Sequence, residues 1–314
     1  MARFLLRRTG QALLVLLVMS FVIYGLIGLM PGDPIDLMMA GNPGMTPEAA
    51  ARLRAIYGLD RPLPLRYAQW LWDALRGDLG FSRVHARPVL EVLGPALWQT
   101  CKLVLGAFTV AVVLSLVLGV LAALRPGGWL DGAISAVALA GVSVPVFWLA
   151  LVLILVFAVN LRLLPASGVG EGGPVETLRH LVLPVATLAL ATAGQFVRHV
   201  RAAMIDALRM DHVRTARAKG AGEARVVLVH ALRPALIPVV TVMALSFGSL
   251  FGGALITETM FAQPGMGKTI YDAILGNDYN LALTGLLFAT AATLAGNLAA
   301  DLAYGWLDPR ISVR

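Results

Sequence analysis

Residues 198–238 read RHVRAAMIDALRMDHVRTARAKGAGEARVVLVHALRPALIP and form a polar interruption between two long apolar runs. Eight lysines and arginines outnumber three acids in this stretch, an excess of five positive charges. Short loops that are rich in lysine and arginine stay on the cytoplasmic side of a membrane. The stretch, the basic hairpin, is therefore predicted to lie in the cytoplasm and to set the orientation of the chain.

The pattern within the basic hairpin predicts two short helices. Apolar residues recur at helical spacing from Met204 to Ala216, which makes one apolar stripe. Gly220 follows two basic residues of the last turn and is placed to cap the helix in the left-handed conformation. A second helix is predicted to start near Glu223, an acid suited to a first turn. Pro234 and Pro238 then mark the return into the bilayer.

The run RTARAKG at 214–220, followed by ALRPALIP, resembles the coupling loop of permease subunits of ATP-binding cassette importers. More narrowly, it resembles the version in the dipeptide, oligopeptide and nickel permease group, where an arginine usually stands in place of the glutamate of the general motif. The resemblance implies that this segment contacts cytoplasmic ATPases. The residues expected to do so are Arg214, Thr215, Ala216, Arg217, Ala218, Lys219, Gly220 and Ala221. The alternative is an ordinary basic loop that only enforces topology.

Composition places the rest of the chain in a bilayer. Of its 314 residues, 58% are hydrophobic and 14% are charged, and the charges cluster between long charge-free runs. Runs of roughly 20 apolar residues are long enough to cross the hydrocarbon core. Six such spans are predicted, at 9–30, 103–124, 131–162, 181–197, 235–257 and 280–300. This pattern predicts an all-α polytopic membrane protein with both termini in the cytoplasm, and the resemblance implies the type I importer permease fold.

The spans divide the chain into three parts. Residues 1–30 are predicted to form an N-terminal transmembrane helix, whose apolar part is too long for a cleaved signal peptide. Residues 31–98 form an extracytoplasmic segment, and residues 99–314 form a permease core of five transmembrane helices that includes the basic hairpin at 198–238. The expected location is the cytoplasmic membrane of a bacterium or archaeon.

Several outer segments add to the resemblance. The stretches similar to the peptide permease group are MPGDP at 30–34, TPE at 46–48, YGLDRPL at 57–63, LRGDLGFS at 75–82, LPASG at 164–168 and HLVLPVATLAL at 180–190. Thr46, Pro47 and Glu48 also predict the start of a helix. Whether the 31–98 segment contacts the solute or is only a folded cap stays open.

The sequence FAQPGMGK at 261–268 comes within one residue of a phosphate-binding loop. The first glycine of that motif is replaced by Ala262, and the segment lies between two spans on the side without ATP, so nucleotide binding is not expected. The segment resembles instead the outer Phe-x-x-Pro-Gly-x-Gly loop of the peptide group. By that resemblance, Phe261, Pro264, Gly265 and Gly267 are candidates for the translocation pathway. Asn297 in the last span either lines the path or joins helices.

No constellation of residues for catalysis or metal binding is recognisable. The five histidines lack metal-ligand spacing, and no paired carboxylates or nucleophile motif accompany them. The single cysteine, Cys101, excludes an intramolecular disulfide. The formal charge of +7 is concentrated in membrane-flanking loops, so nucleic acid is not an expected partner. A non-catalytic membrane subunit that binds no cofactor itself is predicted, with ATP and magnesium used by partner ATPases.

The resemblance implies a permease that forms half of a translocation pathway for peptides or related small solutes. Its implied partners are a second related permease, expected as a heterodimer, two cytoplasmic ATPases and an extracytoplasmic binding protein. The alternative is an ion-coupled secondary transporter, which would need buried acids or histidines within its spans or inverted repeats. The choice among dipeptides, oligopeptides, glutathione-like molecules and nickel chelates stays open.

Overall fold

The computed structural model describes residues 2–29, 35, 39, 46–56, 61–170 and 172–307. The MPGDP stretch, the YGLD stretch and the end of the predicted cytoplasmic tail lie outside the described residues. Helices dominate the described part, because long apolar runs without competing polar groups satisfy their own backbone in lipid only as helices.

The membrane-spanning region is built from long helices. In chain order the helices are α1 (Ala2–Gly28), α2 (Pro47–Ile56), α3 (Leu63–Leu75), α4 (Val89–Leu124), α5 (Trp129–Ser143), α6 (Val146–Asn160), α7 (Pro174–Leu208), α8 (Asp211–Ala218), α9 (Glu223–Met260), α10 (Met266–Leu275) and α11 (Tyr279–Leu307). Within them, α6 ends in a π-helical segment at Ile154–Asn160, and α9 contains a second one at Val226–Ala231. Five of these helices are long and apolar enough to cross a membrane, and the bent pair α5–α6 meets the same criterion when its two helices are taken as one span, which gives six. The prediction of an all-α, six-span chain is therefore confirmed.

The third span is broken at its proline. Helices α5 and α6 meet at an angle of 109°. Pro145 precedes the first residue of α6 and has no N–H to continue the helix that ends at Ser143. Val146 is therefore the start of a new helix rather than the continuation of a kinked one.

Helix α7 is the centre of the bundle, packed against α4, α5, α6 and α9. Glycines allow the backbones to approach closely. A Cβ added at Gly119 would stand 2.6 Å from the Cβ of Val200, and one at Gly194 would stand 2.3 Å from the carbonyl oxygen of Ala138. In lipid the hydrophobic effect does not drive helices together, so they associate largely through close van der Waals packing. Small residues allow that packing.

The outer segment rests on α1 and α11. Helix α2 begins at Pro47 as predicted, and Thr46 Oγ1 accepts the N–H of Ala49 at 3.2 Å. Strands β1 (Phe81–Ser82) and β2 (Arg87–Pro88) pair antiparallel, with Ser82 opposite Arg87. Helix α3 packs its aromatic side chains on α1, where the hydroxyls of Ser20 and Tyr67 lie 2.7 Å apart.

Candidate coupling site and outer loop

Helix α8 lies between the inner ends of α7 and α9 and shows one apolar face. Val213 is fully buried and Ala216 is nearly so, and both face the π-helical segment of α9. The predicted stripe from Met204 to Ala216 is divided between two helices, because the chain turns at Arg209 and Met210 between α7 and α8. The turn leaves Met210 exposed and keeps α8 as a separate short helix.

A histidine joins α8 to α9. Pro234 has no N–H, so it cannot donate to the carbonyl of His230 in the α-helical pattern. That carbonyl oxygen lies 2.9 Å from Nε2 of His212 on α8. With Nε2 protonated, the imidazole donates the hydrogen bond that the proline cannot. This contact of His212 was not predicted from the sequence.

Gly220 caps α8 as predicted. Its φ is +80°, in the left-handed region. The N–H of Gly220 donates to the carbonyl of Arg217 at 2.9 Å, and the N–H of Ala221 donates to that of Ala216 at 3.2 Å. This pair of bonds is typical of a glycine C-cap, and it satisfies two carbonyls that the helix end leaves unpaired.

An ion pair closes the turn between α8 and α9. The Arg217 guanidinium donates to both carboxylate oxygens of Glu223, at 2.8 and 3.2 Å. The hydrogen bond with Glu223 raises the pKa of Arg217 above its usual value. Both side chains are largely exposed to solvent, so the pair contributes little to folding but holds the turn in one geometry.

The predicted coupling residues divide into an anchoring and a presenting set. Ala216 is buried and Ala221 is half-buried, so they hold the segment to the bundle. The remaining six are exposed: Arg214, Thr215, Arg217, Ala218, Lys219 and Gly220. The segment thus presents a basic, rigidly capped surface, a geometry suited to docking in a cleft of another protein.

A half-buried ion pair between α5 and α7 was not foreseen from the sequence. Arg201 on α7 donates to both carboxylate oxygens of Asp131 on α5, at 2.5 and 2.6 Å, and the N–H of Gly127 donates to the same carboxylate at 2.8 Å. The Asp131 side chain is 5% exposed. The sequence did contain a signal for this pair, because Asp131 is an acid at the start of a span and is predicted to lie on the same side of the membrane as the basic hairpin.

The outer loop, residues 261–265, is mostly buried. Phe261 is 1% exposed and packs with Ala150 and Leu183. Gly265 and Gly267 are buried as well, whereas Pro264 is exposed. Pro264 borders a cavity of about 480 Å³ between α4 and the outer loops, together with Trp98, Gln99, Lys102, Gly170 and Thr177. A role in the pathway stays a prediction for Phe261, Pro264 and Gly265 of the loop and for Gly267 at the start of α10.

Asn297 lies at a close approach of α9 and α11. Its Oδ1 would stand 3.0 Å from a Cβ at Gly248, and the Thr293 carbonyl would stand at the same distance. The position fits the interpretation of Asn297 as a residue between helices, and its lining of a path stays a prediction.

The part of the chain that the structure describes contains no group of three side chains able to hold a metal ion.

A buried carboxylate at the end of α9, Glu258, was also missed from the sequence, although it lies three residues before the Phe261 motif. Its place next to that motif was the available signal.

Comparisons with known proteins identify the family to which this chain belongs. Residues 115–313 match the family described as binding-protein-dependent transport system inner membrane component, and residues 1–92 match the N-terminal part of such membrane components. The chain is 35% identical to the dipeptide transport system permease protein DppB of Escherichia coli K12, over 99% of both chains. It is 37% identical to a protein named as a peptide transport system permease of Brucella abortus, again over 99% of both.

Solved structures show the same fold. A chain in an inward-facing structure of the MetNI methionine ATP-binding cassette transporter matches with a TM-score of 0.58 and 20% identity, over 70% of this chain and 97% of that one. An amino acid transporter of the same class matches with a TM-score of 0.51 and 15% identity, over 68% and 93%. The family match and the relatives named as dipeptide and peptide transport permeases set aside the alternative of an ion-coupled secondary transporter. The chain is a multi-pass protein of the inner membrane and belongs to the binding-protein-dependent transport system inner membrane component family, among the importer permeases of the dipeptide and oligopeptide group.

Proposed function

We propose that this chain forms half of a translocation pathway for peptides or related small solutes, driven by cytoplasmic ATPases through α8. A second, related permease completes the pathway in a heterodimer, and an extracytoplasmic binding protein delivers the solute. The dipeptide and peptide permease names of its relatives support this substrate class. ATP and magnesium are used by the partner ATPases, and this chain contributes no catalytic group.

The observation that carries the proposal is the construction of the basic hairpin. Helix α8 exposes its basic face, and its opposite face is anchored by Val213 and Ala216. It follows α7 after a turn of two residues, and its turn into α9 is closed by the Gly220 cap and the Arg217–Glu223 pair. A helix held in this way moves together with both long helices when a partner pushes on it.

The partner ATPases determine the direction in which α8 moves. One ATPase holds α8 in its cleft and the second holds the corresponding helix of the partner permease, and their closure on ATP favours one arrangement of the two permeases over the other. A partner shifts such an equilibrium only as far as its affinity for the two states differs. ATP binding would thus open the pathway to the outside, and hydrolysis would return it to the inside.

Uptake in cells tests the energy source. The chain is expressed with its partner subunits in a strain that lacks its own dipeptide uptake, and radiolabelled alanyl-alanine is the probe. We expect arsenate, which depletes ATP, to abolish uptake, and a protonophore applied while ATP is maintained to leave it largely intact. ATPase subunits should also copurify with the chain in mild detergent. Proton-driven uptake by the purified chain alone would refute the proposal.

A further inference from the structure

Glu258 is a fully buried acid at the outer end of α9. Its side chain is 0% exposed, and α9 ends two residues later at Met260. Removing a carboxylate from water is costly unless hydrogen bonds replace the lost hydration. The position therefore calls for a set of donors, and an ionisable group at this depth is a candidate for function.

The donors come from α4 and from the start of α10. The Thr100 hydroxyl donates to Oε1 of Glu258 at 2.5 Å, and the N–H of Lys268 donates to Oε2 at 3.0 Å. The N–H of Met266 donates to the Thr100 hydroxyl at 2.8 Å. Because residue 265, which precedes α10, is a glycine without a capping side chain, Glu258 and Thr100 together satisfy N–H groups that the helix start leaves unpaired. The carboxylate also opposes the positive end of the α10 dipole.

The glycines of the outer motif make room for this carboxylate. A Cβ at Gly265 would stand 2.1 Å from the carboxyl carbon of Glu258, and one at Gly267 would stand 2.7 Å from the Cα of Leu255. Neither distance is possible between real atoms. The Pro-Gly-Met-Gly sequence is thus shaped around the acid.

A second layer ties the outer loop to its neighbours. Gln99 Nε2 on α4 donates to Oε1 of Gln263 at 2.5 Å, and Gln263 Nε2 donates to the carbonyl of Gly168 at 2.6 Å. The N–H of Gly168 donates to the carbonyl of Phe261 at 3.0 Å. The end of α9, the start of α10, helix α4 and the 164–168 turn are joined at one place.

We propose that Glu258 is a positioning residue of the transport cycle, which locks α4 and α10 to the outer end of α9 so that they move as one body. This inference rests on the proposed function. Helix α9 runs for 38 residues, about 57 Å at 1.5 Å per residue, from Glu223 in the basic hairpin to the outer loop. A displacement received at α8 is carried along α9, and the Glu258 cluster passes it to the outer ends of α4 and α10.

The test uses matched variants of the full transporter, co-expressed with its partner subunits. Glu258→Gln keeps the shape and removes the charge, and Thr100→Val removes the donor at nearly constant volume. Thr100→Ser restores the hydroxyl and is the rescue variant. Asp272→Asn is the control, since Asp272 also lies on α10 but its half-exposed carboxylate pairs with the side chain of Lys268 on the same helix.

Two measurements separate coupling from folding. Hydrogen exchange of residues 262–270 reports the amides that the cluster holds, with a segment of α11 as the internal reference. Alanyl-alanine uptake and ATP hydrolysis are measured on the same variants. We expect Glu258→Gln and Thr100→Val to speed exchange and to lower uptake about tenfold or more, while ATP hydrolysis continues. Thr100→Ser and Asp272→Asn should behave like the wild type.

The outcomes are distinguishable. Wild-type uptake in Glu258→Gln, with or without faster exchange, overturns the positioning role, and so does an equal loss in Thr100→Ser and Thr100→Val. If Glu258→Gln does not accumulate in the membrane, the Thr100 pair decides. Wild-type uptake that is independent of ATP would instead refute the proposed function, and the exchange measurement would still report whether the cluster holds α10.

Discussion

The two loops at the ends of α9 are built in opposite ways. The basic hairpin exposes its charges to solvent, and its Arg217–Glu223 pair lies on the surface. The outer loop and the end of α9 next to it bury polar groups, with Gln263 1% exposed and Glu258 fully enclosed. The basic hairpin therefore keeps its charged surface accessible to a partner, whereas the outer end of α9 satisfies its polar groups within the chain.

The same contrast governs the glycines. The space that a Cβ on Gly220 would occupy is open, with no atom within 4 Å, so this glycine is required for its φ of +80°. Neither Gly265 nor Gly267 has a φ in the left-handed region, but atoms of Glu258 and Leu255 occupy the space of a side chain. A substitution in the basic hairpin therefore changes its backbone and docking surface, and one in the outer loop disturbs packing.

The largest effect is expected at Gly220. The variant Gly220→Asp forces a side chain into the left-handed region and adds a negative charge to the basic surface. It should abolish ATP-dependent uptake while the chain still inserts into the membrane. The matched control is Gly222→Asp, because Gly222 is equally open, has a φ of −63° and precedes α9, where aspartate is a good N-cap. Wild-type uptake in Gly220→Asp would count against the role of the basic hairpin.

The next effect is expected at the half-buried ion pair. Asp131→Asn leaves the Arg201 guanidinium without its charged partner and should lower the free energy of unfolding by about 1–3 kcal/mol. Thermal unfolding in detergent measures the change. The double variant that exchanges the two residues should recover part of the loss, and no recovery would show that the loss does not come from the pair.

A loss of similar size is expected at Gly267. Gly267→Ala places a Cβ against the backbone of Leu255, and overpacking of this kind costs about 1–3 kcal/mol. The control is Gly132→Ala on α5, where nothing lies within 4 Å and alanine favours the helix. Equal melting temperatures for the two variants would contradict the close approach of α9 and α10.

The smallest effect is expected at the exposed pair. Glu223 raises the pKa of Arg217, so the stabilising contribution of this arginine is complete below its ordinary pKa and is lost only as the pH rises through the higher folded value. Both values lie far above neutral pH. Because the pair is exposed, Glu223→Gln should melt at nearly the same temperature as the wild type. Because neither pKa is reached, any difference between the two proteins should stay the same from about pH 7 to 9. A pH-dependent difference in that range would show that the pair has a larger role than its exposure indicates.

Local patterns predicted much of the fold and the basic hairpin. The apolar runs indicated six spans, and the spacing of Gly220 after α8 indicated its left-handed cap. Pro145 lies within the predicted third span, but the angle of 109° could not be predicted from it, because a proline removes a hydrogen bond without specifying how neighbouring helices fill the gap. The residues of the outer motif were identified by resemblance alone.

The sequence by itself determined which segments are apolar enough to enter the membrane and where Gly220 ends a helix, and it predicted the side of the basic hairpin. Those properties depend on residue types within a short window and on their transfer from water to lipid. Only the tertiary structure decided that Glu258 meets Thr100, 158 residues away, and that Asp131 meets Arg201, 70 residues away. Such partners are separated by whole spans, and they meet only once the helices have packed and the cost of burying each charge has been offset by donors from another helix.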